Sequence, residues 1–206
     1  MSVPAVLSPA AGRKGRPRDE RIDGEITATA LGVLAEVGFA RFSIAEVVER
    51  TGVAKTTIYR RFATREELIA SALDRLNDHL PKAPPSGTFR EQLVAAVDGL
   101  LHRSPNSLDG RIFTHAMSEA GQEPAIAQLV HDRVLEPRRA LLRAIINAGV
   151  VSGELRADVD PDVALPCIVG PALYISKWQL TNRPIAVTAE ELVDIILGGM
   201  TPARDS

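Results

Sequence analysis

Lys55, Thr56, Thr57, Tyr59, Arg60 and Arg61 bring ammonium, guanidinium and hydroxyl groups together within one short stretch. Such a set suits a polyanion that also displays hydrogen-bonding edges. Cations and hydroxyls hold phosphates, and residues at the start of a helix reach base edges in the DNA major groove. Catalysis is a poorer fit. The four histidines (79, 102, 115, 131) stand in separate segments, and no pair has the i, i+4 spacing of a helical zinc site. No serine nucleophile motif or phosphate-cradling glycine loop is present, so neither an enzyme nor a cofactor or metal is expected.

Those side chains need a scaffold, and the flanking residues supply its signals. Gly52 permits a left-handed turn between two helices. Ile44, Val47, Val48, Ile58 and Phe62 are placed to bury the angle between them. Ser43 caps the first of the two, with Glu46 three residues on to complete a capping box. Upstream, Ile22, Ile26, Ala30, Val33 and Val37 follow helical spacing up to Gly38, a stop that favours positive φ. Thr64 with Glu67 repeats the capping device and opens a helix through Leu68, Ala72 and Leu76, ending before Pro81. This is the pattern of a helix-turn-helix.

The chain has 206 residues, 45% apolar and 24% charged, with a net charge of −2. Residues 13–65 carry 11 Lys and Arg against 7 Asp and Glu, whereas 66–206 carry 13 against 19. A basic head on an acidic body binds phosphate locally. Cys167 is the only cysteine and has apolar neighbours, so an inert packed thiol in a reducing compartment is expected. No apolar run reaches the roughly 18 residues of a membrane span, and no signal peptide is read, so a cytoplasmic location with no membrane partner is expected.

Beyond a Pro-rich stretch from Pro81 to Gly87, helical periodicity continues and no strand is read. Helices are expected over about 88–102, about 108–120 and about 124–151, the last kinked at Pro137. Asp160-Pro161 opens another, interrupted at Gly170-Pro171, and Thr188 with Glu191 caps the last. The expectation is an all-α chain of about nine helices. It divides into a flexible basic arm (1–18), a three-helix helix-turn-helix unit (19–65) and a larger helical body (66–206).

The stretch Gly-Val-Ala-Lys-Thr-Thr-Ile-Tyr-Arg-Arg-Phe, with Thr-Arg-Glu-Glu-Leu following, resembles the TetR family of bacterial transcriptional regulators over roughly residues 22–70. Gly-Glu-Leu-Arg (153–156) before Asp-Val-Asp-Pro (158–161) is similar to the family's regulatory domain. Val48 departs from the pattern, where a small residue is usual.

The resemblance implies that Lys55, Thr56, Thr57, Tyr59 and Arg65 meet DNA, with Ser43 and Arg60 beside them. Of Arg60 and Arg61, one can turn towards the protein. Arg16 and Arg18 in the basic arm either enter a narrow A·T-rich minor groove or add only non-specific affinity. The body is then implied to bind an effector, an unknown small molecule, through wall residues such as Leu100, Phe113, His115, Met117 and Trp178, each as readily plain core. The last two helices are implied to pair with a second copy through Leu165, Ile168, Val169, Ala172, Leu192, Ile195 and Ile196. Dimerisation has its own motive, since one short helix makes too few contacts for tight specific binding.

The expected function is a dimeric repressor on a palindromic double-stranded DNA operator, released by that effector. An activator or ligand-independent regulator has the same architecture. A helical enzyme or carrier with a vestigial helix-turn-helix is the rival of another class.

Overall fold

Apolar residues at every third or fourth position give the first helix one buried stripe, and the remaining helices assemble on it. The structure, a computed structural model, describes residues 20–78, 80, 86–102, 104, 106–119, 121, 123–178 and 185–200, without the side chains of residues 177 and 178. The basic arm with Arg16 and Arg18 lies outside the described residues. Nine helices and no strands make up the described chain.

The head comprises α1 (Glu20–Val37), α2 (Ile44–Thr51), α3 (Lys55–Arg61) and α4 (Arg65–Asp74), the last extended by a 3-10 turn over Arg75–Asn77. Ile26, Ala30, Val33 and Leu34 are fully buried on α1. Gly38 ends that helix at φ 79°, its N–H donating to Leu34 O at 3.0 Å. Gly52 turns α2 into α3 at φ 67°. Val48, half-buried, packs against the shared core.

The body follows with α5 (Phe89–Leu101), α6 (Leu108–Glu119) and a long α7 through Pro124–Val130, a π turn at His131–Leu135 and Glu136–Ser152. The chain closes with α8 (Pro161–Trp178) and α9 (Ala189–Gly198).

Two of the capping expectations are met in part. Ser43 Oγ accepts from the Glu46 N–H at 3.2 Å, but the Glu46 carboxylate turns to Arg50 at 2.8 Å instead of returning to Ser43. Thr64 Oγ1 accepts from the Glu67 N–H at 3.0 Å, and Glu67 takes the Ala63 N–H at 2.7 Å. Thr88–Glu91 and Thr188–Glu191 form full capping boxes.

α8 is not interrupted at Gly170-Pro171; it runs unbroken through Pro166 and Pro171. Each proline orphans the carbonyl four residues earlier, at Asp162 and at Cys167, and both residues lie on the exposed side where water can serve them. Cys167 is accordingly exposed, not packed as expected.

Packing does not follow the chain division at residue 65. One apolar core joins α1–α4 with Ile112 and Ala116 of α6 and Ile126, Val130 and Val134 of α7. The other joins α5, the second half of α7, α8 and α9. The head therefore includes part of the body in its own core.

Candidate nucleic-acid interface

The recognition helix is short, and what fixes it is the packing of its inner edge. Ile58 is fully buried and Phe62 nearly so, which leaves the opposite side of α3 outward. Lys55, Thr56, Tyr59 and Arg60 are exposed there, with Thr57 half-buried beside them. Lys55 Nζ stands 5.7 Å from the Tyr59 ring centroid, an i, i+4 cation–π pair that holds both side chains over one patch. Arg60 has no hydrogen bond or ion pair among the described residues.

Arg61 is the member of the pair that turns inward. Its Nη1 donates to Asp23 Oδ1 on α1 at 2.5 Å, and its side chain is 9% exposed. The two arginines are about 100° apart on the helix, so the same turn that presents one retracts the other.

Arg65 differs from its expected role. Its Nε donates to Phe42 O at 3.2 Å, its Nη2 to Phe39 O, and its Nη1 pairs with Glu66 at 3.3 Å. The guanidinium also lies 5.9 Å from the Phe42 ring. In this structure Arg65 staples α4 to the α1–α2 turn, with all its nitrogens engaged. Ser43 is exposed but serves as the α2 cap.

A second clamp sets α2 on α1. Arg50 donates to Glu36 of α1 and Glu46 of α2, each at 2.8 Å. The hydrogen bond from Arg50 holds the Glu36 carboxyl below its ordinary pKa, and Arg50 itself is raised by both carboxylates.

α6 touches the head at its turn. Glu119 Oε2 accepts the Ala40 N–H at 2.7 Å, and Glu119 Oε1 lies 3.3 Å from His115 Nδ1. A side chain at Gly38 would run into both residues. His115, expected at an effector, stands at this joint. Met117 is 51% exposed, Phe113 half-buried, and Leu100 packs on the other core. The Trp178 side chain lies outside the described residues.

The end of α4 is gripped by the π turn, an arrangement that no sequence pattern announced. Pro137 has no N–H for the Arg133 carbonyl four residues before it. Asn77 Nδ2 donates to that carbonyl instead, at 2.5 Å. Arg133 pairs with Asp74 at 3.1 Å, and Arg138 binds Asp109 of α6 and Leu76 O together. Pro137 was legible as a kink; the partner it calls for lies in another helix.

The apolar positions read as a dimer face need correction. Leu165, Ile168, Ala172 and Leu192 are buried in the protomer's own core, and Val169 and Ile196 pack against it. Periodicity marks the buried stripe, and here that stripe faces α5 and α7. Ile195 alone of the set stands out, 75% exposed, beside Val163, Cys167 and Tyr174 on the outer side of α8.

Among the described residues, no group of three or more His, Cys, Asp or Glu is disposed to hold a metal ion. No described helix is long and apolar enough to cross a membrane.

A glycine-hinged helix pair with a cationic, hydroxyl-bearing outer face, on a head carried by a larger helical body, defines a helix-turn-helix DNA-binding transcriptional regulator. Residues 26–72 match the family model of the tetR family of bacterial regulatory proteins, and residues 83–196 match the tetracyclin repressor-like C-terminal domain. The chain belongs to the TetR family.

An uncharacterised HTH-type transcriptional regulator of Bacillus subtilis, YdeS, is 29% identical over 79% of this chain and 81% of its own. The DNA-binding transcriptional repressor TetR of Mycobacteroides abscessus is 29% identical over 69% of this chain and 75% of its own. Among solved structures, the flavonoid-responsive regulator FrrA superimposes with a TM-score of 0.69 at 19% identity, over 90% of this chain and 100% of that one. Members of this family are transcriptional regulators, not enzymes.

Proposed function

We propose that the protein is a cytoplasmic homodimeric repressor that leaves a palindromic operator when a small molecule binds its body. The observation that carries the DNA half is the outward set Lys55, Thr56, Tyr59 and Arg60 on α3, opposite the buried Ile58. Lys55 and Arg60 hold phosphates, while Thr56, Thr57 and Tyr59 meet base edges or backbone. A two-fold axis through the outer sides of α8 and α9, at Val163, Tyr174 and Ile195, would present two such helices to successive major grooves. The named repressor of Mycobacteroides abscessus and the flavonoid-responsive neighbour support repression and small-molecule release.

Release runs through α4. Its far end is held by Asn77, Arg133 and Arg138, so a shift of α7 moves the helix that carries the head. The effector must prefer the conformation that does not bind DNA, since equal affinity for both shifts nothing.

The test is a mobility shift on the DNA flanking the protein's own gene, at stated salt, with and without candidate ligands. Lys55→Ala should weaken binding and lower the salt slope by about 0.9 for each phosphate that the variant no longer neutralises. Tyr59→Ala should weaken binding about tenfold, the equivalent of one good base contact of about 1–3 kcal/mol. Both side chains are exposed, so the urea midpoint should not move. Undiminished affinity in both variants would remove this face from the interface.

A further inference from the structure

A groove of about 340 Å³ opens between α1, the end of α3 and α4, lined by Asp23, Gly24, Thr27, Arg61, Phe62, Glu67, Ser71 and Arg75. It lies in the head, apart from both the outer face of α3 and the body. Two of its side chains, those of Arg61 and Arg75, carry donors that meet no acceptor among the described residues. Arg61 Nε is buried without a hydrogen-bond partner, although the Arg61 side chain is only 9% exposed. A buried N–H left unmet is costly and uncommon.

Arg75 is half-buried, with no ion pair or hydrogen bond from its guanidinium among the described residues, and the Ser71 hydroxyl is likewise unengaged. The Arg75 guanidinium lies over Gly24, where an added Cβ would stand 3.8 Å from Nη1. Each of the two carboxylates has one oxygen engaged. Asp23 Oδ1 takes Arg61 Nη1 at 2.5 Å, and Glu67 Oε2 takes the Ala63 N–H at 2.7 Å. Arg75 thus has no ion partner among the described residues.

We infer that this groove is a phosphoryl-binding site, with Arg61, Ser71 and Arg75 as its donors. A tetrahedral phosphoryl group offers oxygens in several directions, which fits donors arriving from two helices better than a flat carboxylate does. The groove exceeds a bare phosphate in size and has room for a small organic remainder. Two sources share this chemistry: a free phosphorylated molecule, or a backbone phosphate of bound DNA. Either would tie the last residue of the recognition helix to α4. The site stands independently of any effector in the body.

The experiment uses the full-length protein and inorganic pyrophosphate, with ionic strength held constant by chloride. Melting temperature and 31P line width are followed in the wild type, Arg75→Gln, Ser71→Ala and the control Arg90→Gln. Arg90 pairs with Asp194 at 2.8 Å on the surface of the body, so the control removes an equal charge elsewhere. A free-ligand site predicts a rise of about 5 °C at a hundredfold excess over Kd, kept in Arg90→Gln and lost in Arg75→Gln and Ser71→Ala.

A DNA-backbone site predicts no pyrophosphate effect, but a salt slope for duplex binding lowered by about 0.9 per head in Arg75→Gln alone. Arg75→Lys should retain part of either signal, because an ammonium keeps the charge and loses the fork. A pyrophosphate effect equal in all four proteins, or neither signal in the wild type and Arg75→Gln pair, overturns the inference.

Discussion

Gly38→Ala tests the joint between head and body, and its cost can be worked from two separate sources. The residue sits at φ 79°, where an added Cβ brings backbone strain of about 1 kcal/mol after the stiffer unfolded chain is credited. That Cβ would also collide with Glu119 Oε1 and stand 2.7 Å from His115 Nδ1. Pushing the carboxylate away forfeits its 2.7 Å bond from the Ala40 N–H, worth about 1 kcal/mol. The single variant should therefore lose about 2 kcal/mol in urea unfolding at fixed protein concentration.

In a Glu119→Ala background the carboxylate clash and its bond are both gone, and the His115 ring, 31% exposed and no longer held by Glu119, can turn aside, so Gly38→Ala should cost mainly the strain, about 1 kcal/mol. The coupling between the two changes is then about 1 kcal/mol, above the roughly 0.5 kcal/mol expected of independent sites. Equal costs in both backgrounds would refute the packing of α6 on the α1–α2 turn. A changed slope against urea would instead mean that the denatured state had moved.

Three further outcomes are expected. Asn77→Leu keeps the shape but removes the donor to the Arg133 carbonyl that Pro137 already deprives, and should cost about 0.5–1.5 kcal/mol, the net worth of one hydrogen bond; an unchanged urea midpoint would dismiss that bond. Ile195→Asp, at a position 75% exposed in the protomer, should leave folding intact yet set like charges against each other across the proposed two-fold axis. Light scattering that still finds a dimer would take this face out of the assembly. Glu91 is held below the ordinary carboxylate pKa, first by the Thr88 N–H and second by its hydroxyl. A lowered pKa in the folded state means stability present above the unfolded value and lost as pH falls through the folded one. Thr88→Ala removes only the hydroxyl, so NMR titration should find Glu91 nearer its ordinary value but still lowered; a pKa that stays put would deny the hydroxyl's share.

What was legible in the sequence was local. Gly38 and Gly52 declare their turns because few other residues tolerate positive φ, and both have it. Ser43, Thr64 and Thr188 declare helix starts through one hydroxyl each. The outward face of α3 followed from a helix that must bury Ile58. Contacts across the chain were not legible. Arg65 carries a charge that suits DNA, and nothing in its neighbours announces that Phe39 and Phe42 offer carbonyls to it. The apolar periods of α8 and α9 announce faces that must be covered, but a period does not say which partner covers them. Leu165 and Ile168 are covered by their own chain. The groove at Arg61 and Arg75 escaped because it needs residues from three helices, none of which forms a motif alone.

Control of such a head depends on how firmly the body grips it. Had the two cores divided at residue 65, the linking helix would carry all the coupling. They do not divide there. Ile112 and Ala116 of α6, with Ile126, Val130 and Val134 of α7, lie in the same core as Ile26, Leu34 and Leu68. The π turn at His131–Leu135 falls where α7 passes from one core to the other. A π turn is one of the few places where a packed helix changes register without losing its continuity. The Pro137 that follows removes one backbone bond from the same stretch, and Asn77 and Arg138 reach across it to α4. A displacement of the second half of α7 would thus reach the head by two routes, through α4 and through the shared core with α6. Severing either alone should weaken the coupling without abolishing it, so variants at Asn77 and Glu119 should be partial singly and far stronger together.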